Sequence, residues 1–127
     1  MNKFYAIRGA TTAKNNSADS IKEASVELIN AILSQNSLQL DNLVSIIASV
    51  TADITADNPV KFMRQGVLGD TPVFCVQEAE IDGGLPLCIR VLAHIQTQKQ
   101  DFKVKHVYLN GAKVLRPDLV KNEESQK

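Results

Sequence analysis

The chain has 127 residues, enough for one domain, and its 44% hydrophobic content can supply one modest core. Its 14 basic and 14 acidic residues cancel, which argues against nucleic acid or an anionic membrane as the main partner, because both select a basic surface. No apolar run approaches the ~20 residues of a membrane span, and the apolar start Phe4–Ile7 is too short for a secretory leader.

Phe4 to Ile7 alternates aromatic and β-branched residues and meets Gly9, which predicts a first strand stopping there. After a polar run through Thr12 to Ser17, Ile21, Ala24, Leu28, Ile29, Ile32 and Leu33 recur at spacings of three and four. That period predicts an amphipathic helix with one face on a sheet. Ser20 with Glu23 forms a capping-box signature, and Ser17 is the competing cap. Leu43 to Val50 is almost wholly apolar and reads as a strand buried on both faces. Asn58 and Pro59 suit the cap and first position of a short helix that ends near Gly66 or Gly69.

Val73 to Val76 is the next strand, and Asp82-Gly83-Gly84 marks a turn. Leu87 to Ile95 alternates, with Ile89, Val91, Ala93 and Ile95 on one face and Cys88, Arg90, Leu92 and His94 on the other. Val104 to Leu109 is the last strand, closed by a turn at Asn110-Gly111, and the polar tail at 120–127 is expected to be poorly ordered. Five or six strands and two helices predict an α+β domain over residues 1–119, a mixed sheet with helices on one face. Two helices cannot hide so apolar a sheet, so association of copies is expected.

The usual catalytic signatures are missing: no HExxH, no Walker loop, no GxGxxG and no local Ser-His-Asp pattern. His94 and His106 stand singly in strands and read as structural, so no metal site is assigned. Cys75 and Cys88 form no CxxC pair and fit reduced thiols in the cytosol. Arginines stand out instead. Arg8 follows an apolar strand, and Arg90 lies inside the most apolar strand of the chain. A guanidinium keeps its charge, so a buried one needs a carboxylate partner or an anionic ligand. The residues alone favour a structural Arg90–Glu78 ion pair. Tyr108 alone reads as packing, and Lys61, Arg64 and Arg116 alone read as surface charge.

Several blocks together are more specific. Ile-Arg-Gly-Ala-Thr-Thr at 7–12, Gln-Glu at 77–78, Cys-Ile-Arg-Val at 88–91, His-Val-Tyr-Leu at 106–109 and Val-Leu-Arg-Pro-Asp-Leu at 114–119 occur in order. Across about Tyr5 to Leu119 the chain resembles the monofunctional chorismate mutases of the AroH class. The resemblance implies a barrel-like homotrimer with active sites between subunits and chorismate as substrate, rearranged to prephenate without a cofactor. It further implies that Arg90 lies beside the ether oxygen, that Arg8 adds a second guanidinium, and that Glu78 accepts from the ring hydroxyl near Cys75. Tyr108 would bond a carboxylate, Phe74, Cys75, Val76, Gln77 and Glu78 would run along the substrate, and Arg64 and Arg116, with Lys61, would stand near the mouth. Asn58 and Val60 stand where the family commonly has Phe and Ala, and Phe74 where Thr is common, so the apolar wall differs. Two rival readings are an imine or enamine hydrolase of the RidA type, which also holds a carboxylate with an arginine, and a non-catalytic metabolite sensor.

Overall fold

A computed structural model describes residues 1–118; the tail at 120–127 lies outside the described residues. Five strands, β1 (Lys3–Thr12), β2 (Leu43–Val50), β3 (Val73–Gln77), β4 (Cys88–Thr97) and β5 (Val107–Tyr108), form one sheet in the order β3-β2-β4-β1-β5. The sheet is mixed. β4 runs antiparallel to both β1 and β2, while β3 and β5 lie parallel to their neighbours at the two edges. Helices α1 (Ala18–Gln35) and α2 (Pro59–Met63) complete the α+β fold.

The 3.6-residue period of α1 is what docks it. Ile21, Ala24, Leu28, Ile29 and Ile32 are all buried, and they meet Ile7, Ile46, Ala48, Ile89, Val91, Ala93 and Ile95 from one sheet face. Such a helix is marginal alone in water, so this burial holds it. Ser17 is the cap: its hydroxyl accepts from the Ser20 amide at 3.2 Å. α2 opens as expected on Asn58, whose side chain accepts from the Val60 amide at 2.9 Å, with Pro59 in the first turn. A π-turn over Arg64–Leu68 follows and ends at Gly69, whose φ of 55° lies in the left-handed region. Val60, Phe62, Met63 and Leu68 are buried in the same core as α1, so both helices cover one face.

Four expectations need correction. β1 does not stop at Gly9 but continues to Thr12. The glycine serves close approach: a Cβ there would stand 2.7 Å from Ile32 Cδ1 and 3.1 Å from Val91 Cγ2. β2 is buried on one face only, since Ile47 on the other remains 43% exposed in the single chain. The last strand shrinks to Val107–Tyr108 because the backbone of Lys105 is taken elsewhere. Its N–H donates to Asn36 Oδ1 at 2.8 Å, and its carbonyl accepts from Asn36 Nδ2 at 2.9 Å, which ties it to the end of α1. Finally, Asn110-Gly111 opens a 3₁₀ segment running to Leu115 rather than a simple turn.

The loops at the start of β4 are stitched by one carboxylate. Asp53 accepts from the Leu87 amide at 2.9 Å and from the Thr51 hydroxyl at 2.5 Å, while Thr51 Oγ1 accepts from the Cys88 amide at 3.0 Å. These bonds, the Thr51 hydroxyl first, hold the Asp53 carboxyl below its ordinary value against an opposing push from burial.

Two outcomes follow for stability. Gly9→Ala should cost about 1–3 kcal/mol through overpacking under α1, measured by denaturant unfolding. Folding favours charged Asp53, so its contribution is full above the unfolded pKa and lost as pH falls through the lower folded one. Asp53→Asn should therefore melt below the parent at about pH 6, with the gap closing below about pH 4.

Candidate active site

Register decides which side chains meet on the uncovered sheet face. In the β1–β4 pair Arg8 stands opposite Leu92, and Ala10 opposite Arg90. Arg8 and Arg90 are therefore diagonal neighbours on one face. On the far side of β4, Ser49 of β2 faces Arg90, and Val76 of β3 faces Ser49 in turn. Glu78 follows β3, fixed by its N–H donating to the Val50 carbonyl at 2.8 Å.

Glu78 Oε1 is the acceptor at the centre of this group. The Ser49 hydroxyl donates to it at 2.6 Å, and Arg90 Nε lies 3.4 Å from the same oxygen. The ion pair anticipated from sequence thus exists. It is not sealed, because the Arg90 and Glu78 side chains stay 47% and 28% exposed. No second carboxylate forms an ion pair with Arg90 among the described residues, and none does with Arg8. Glu78 and Arg90 line a cleft of about 360 Å³ whose other walls are Thr51, Asp53, Cys88 and the loop through Ala79 to Pro86.

The β1–β5 edge carries a second polar group. Tyr108 lies opposite Ala10, on the face of Arg8 and Arg90. Arg116 lies beside Tyr108 and forks onto Asp118 with contacts of 3.2 and 3.0 Å. The Arg8 backbone N–H donates to His106 Nδ1 at 2.9 Å.

Other expected residues lie apart from this set. Cys75 and Gln77 pair with Ala48 and Val50 and so point to the helix-covered side of β3, whereas Phe74 and Val76 point to the open side. Burial pushes the Cys75 thiol up, which removes it as a ready thiolate. Lys61 of α2, a helix that contacts β3, is bonded to Asp57 at 3.0 Å, and Arg64 follows in the π-turn. Asn58 spends its side chain on capping. Sequence reasoning missed Ser49, Asp53 and His106. Only His106 had left a signal, since it belongs to the block at 106–109, but its bond to Arg8 spans 98 positions.

Comparison with known proteins identifies the family. The family model described as chorismate mutase type I matches residues 4–119. Chorismate mutase AroH of Bacillus subtilis is 37% identical over 93% of this chain and 95% of its own length. The AroH enzyme of Thermus thermophilus is 38% identical over 89% of this chain and 93% of its own. A solved chorismate mutase from Clostridium thermocellum superposes with a TM-score of 0.81 at 42% identity, covering 87% of this chain and 98% of that one. A matched fold, near-complete mutual coverage and the ordered blocks converge: the chain belongs to the type I chorismate mutase family.

Proposed function

We propose that the chain converts chorismate to prephenate, with Arg90, Arg8 and Glu78 as its catalytic groups. The observation that carries this is two guanidinium groups, Arg8 and Arg90, on one open sheet face, with one carboxylate, Glu78, paired to Arg90 from the β2–β3 side. That arrangement suits a small dianion. The family assignment favours neither the imine hydrolase nor the sensor.

The reaction is a unimolecular pericyclic rearrangement: an ether C–O bond breaks as a C–C bond forms. It requires no nucleophile, proton relay, metal or cofactor, and none is assigned. The protein must fold the enolpyruvyl arm over the ring, and forked bonds from arginine to a carboxylate do that. It must also stabilise negative charge that grows on the ether oxygen. Arg90 suits this role because Glu78 and Ser49 fix its orientation before substrate arrives. Arg8 and Tyr108 hold carboxylate oxygens, and Glu78 accepts from the ring hydroxyl.

We further propose that the sites lie between subunits of a homotrimer. Tyr108 and Phe74 stand on opposite edges of the sheet, four strand spacings apart in the order β3-β2-β4-β1-β5. At ~4.8 Å per spacing the gap is about 19 Å, too far for one small substrate to touch both. A second copy that brings its β3 edge to the β1–β5 edge resolves this. It supplies Phe74 and Val76, with Lys61 and Arg64, to the side of Arg8, Arg90, Glu78, Tyr108 and Arg116, while Cys75 and Gln77 stay on the helix side of β3. The open face also carries Phe4 at 69%, Ile47 at 43% and Phe74 at 67% exposure, an apolar surface suited to burial between copies. No described helix is long and apolar enough to cross a membrane. We assign the enzyme to the cytosol, where Cys75 and Cys88, free thiols in the structure, stay reduced.

Three measurements test this reading. Purified protein should consume chorismate and form prephenate in a spectrophotometric assay; binding without turnover would favour the sensor. Arg90→Ala should lower kcat by about a hundred- to thousandfold with the assembly intact, and Arg90→Lys should recover little, because an ammonium lacks the planar fork. Sedimentation should give the mass of three copies, and Ile47→Asp should shift it toward one.

A further inference from the structure

His106 has no place in the chemistry above, yet it makes the bond that fixes Arg8. The parallel register of Gly9 with Val107 and Ala10 with Tyr108 sets Arg8 opposite His106. The Arg8 N–H points toward β5, where a continued ladder would offer the carbonyl of Lys105. That carbonyl is already taken by Asn36 Nδ2 at 2.9 Å. The imidazole replaces it, and Arg8 N donates to His106 Nδ1 at 2.9 Å.

This geometry fixes the tautomer. Nδ1 can accept only when it carries no proton, so the ring must be neutral with its hydrogen on Nε2. We propose that His106 is a positioning residue, whose neutral ring holds the Arg8 backbone and the start of β5 so that Arg8 and Tyr108 present their polar groups to one dianionic substrate. This role rests on the mutase reading above.

Protonation would turn Nδ1 into a donor facing another donor and release the bond. The surroundings oppose that step. From β1 the facing charge is Arg8, and from the segment after Leu115 it is Arg116, forked onto Asp118 and beside Tyr108. From α1 the contact on the neighbouring Lys105 is the uncharged Asn36. Burial first, then the Arg8 and Arg116 charges, hold the His106 pKa below the ordinary histidine value.

The test uses His106→Asn and His106→Leu in the full-length enzyme. An asparagine carbonyl oxygen occupies the place of Nδ1 along the side chain, accepts the same bond and takes no proton. At about pH 8, His106→Leu should lower kcat/KM by about tenfold, mostly through KM, and His106→Asn should recover most of that loss. Wild-type kcat/KM should fall on acidification at a pH below the usual histidine range, and His106→Asn should stay level across that interval. Amide hydrogen exchange gives a readout besides activity: the Arg8 N–H should be protected in wild type and His106→Asn but exposed in His106→Leu.

An acid limb unchanged in His106→Asn, or an Arg8 amide equally protected in all three proteins, would overturn the role. So would an asparagine variant as impaired as the leucine one. Wild-type protein that makes no prephenate would instead remove the mutase reading, and this role with it. The two failures are therefore distinguishable.

Discussion

The antiparallel pairing of β1 with β4 governs where positive charge can stand in this molecule. Side chains in a strand alternate strictly, so a shift of one residue would send a whole set of side chains through the sheet. With Ala10 opposite Arg90 and Arg8 opposite Leu92, both guanidinium groups emerge on the uncovered face. The other face is closed by α1 over Ile7, Val91 and Ala93, where an arginine would have no water and no partner. One register thus secures both the core and the charge pair.

Such a pair is unstable company unless something offsets it. Glu78 does so partly, by facing Nε of Arg90 while accepting from Ser49 on the same oxygen. Partial compensation is functionally apt. A fully paired and buried Arg90 would have nothing to offer a ligand, while a wholly unpaired one would wander in solvent and lose preorganisation. Arg8 is restrained differently, through its backbone rather than its charge, by the imidazole of His106. The two arginines are fixed by opposite means, and both leave attraction for an anion.

The open face also explains the economy of the fold. Apolar residues such as Phe4, Ile47 and Phe74 cost hydration while exposed, and the same surface holds the polar group. In the proposed assembly, copies of the same chain would bury the apolar part and enclose the guanidinium groups in a drier place. Electrostatic attraction to a dianion grows as water is excluded. In that view assembly and catalysis draw on one surface.

Much was legible from sequence because it is local. The period of α1, the Asn58-Pro59 start of α2 and the alternation of β4 around Arg90 follow from side-chain spacing along one segment. The ordered blocks carrying Arg8, Glu78, Arg90 and Tyr108 likewise pointed to the family. What the sequence could not decide is everything set by partners distant along the chain. Gly9 looked like a stop until α1 crossed it at contact distance. Val104 to Leu109 looked like a full strand until Asn36 claimed the backbone of Lys105. His106 looked idle until the β1–β5 register set its ring against the Arg8 amide, 98 positions away. Alternation tells which residues share a face of their own strand. Only the pairing of strands tells which faces meet, because hydrogen-bond register is a property of two segments and is written in neither alone.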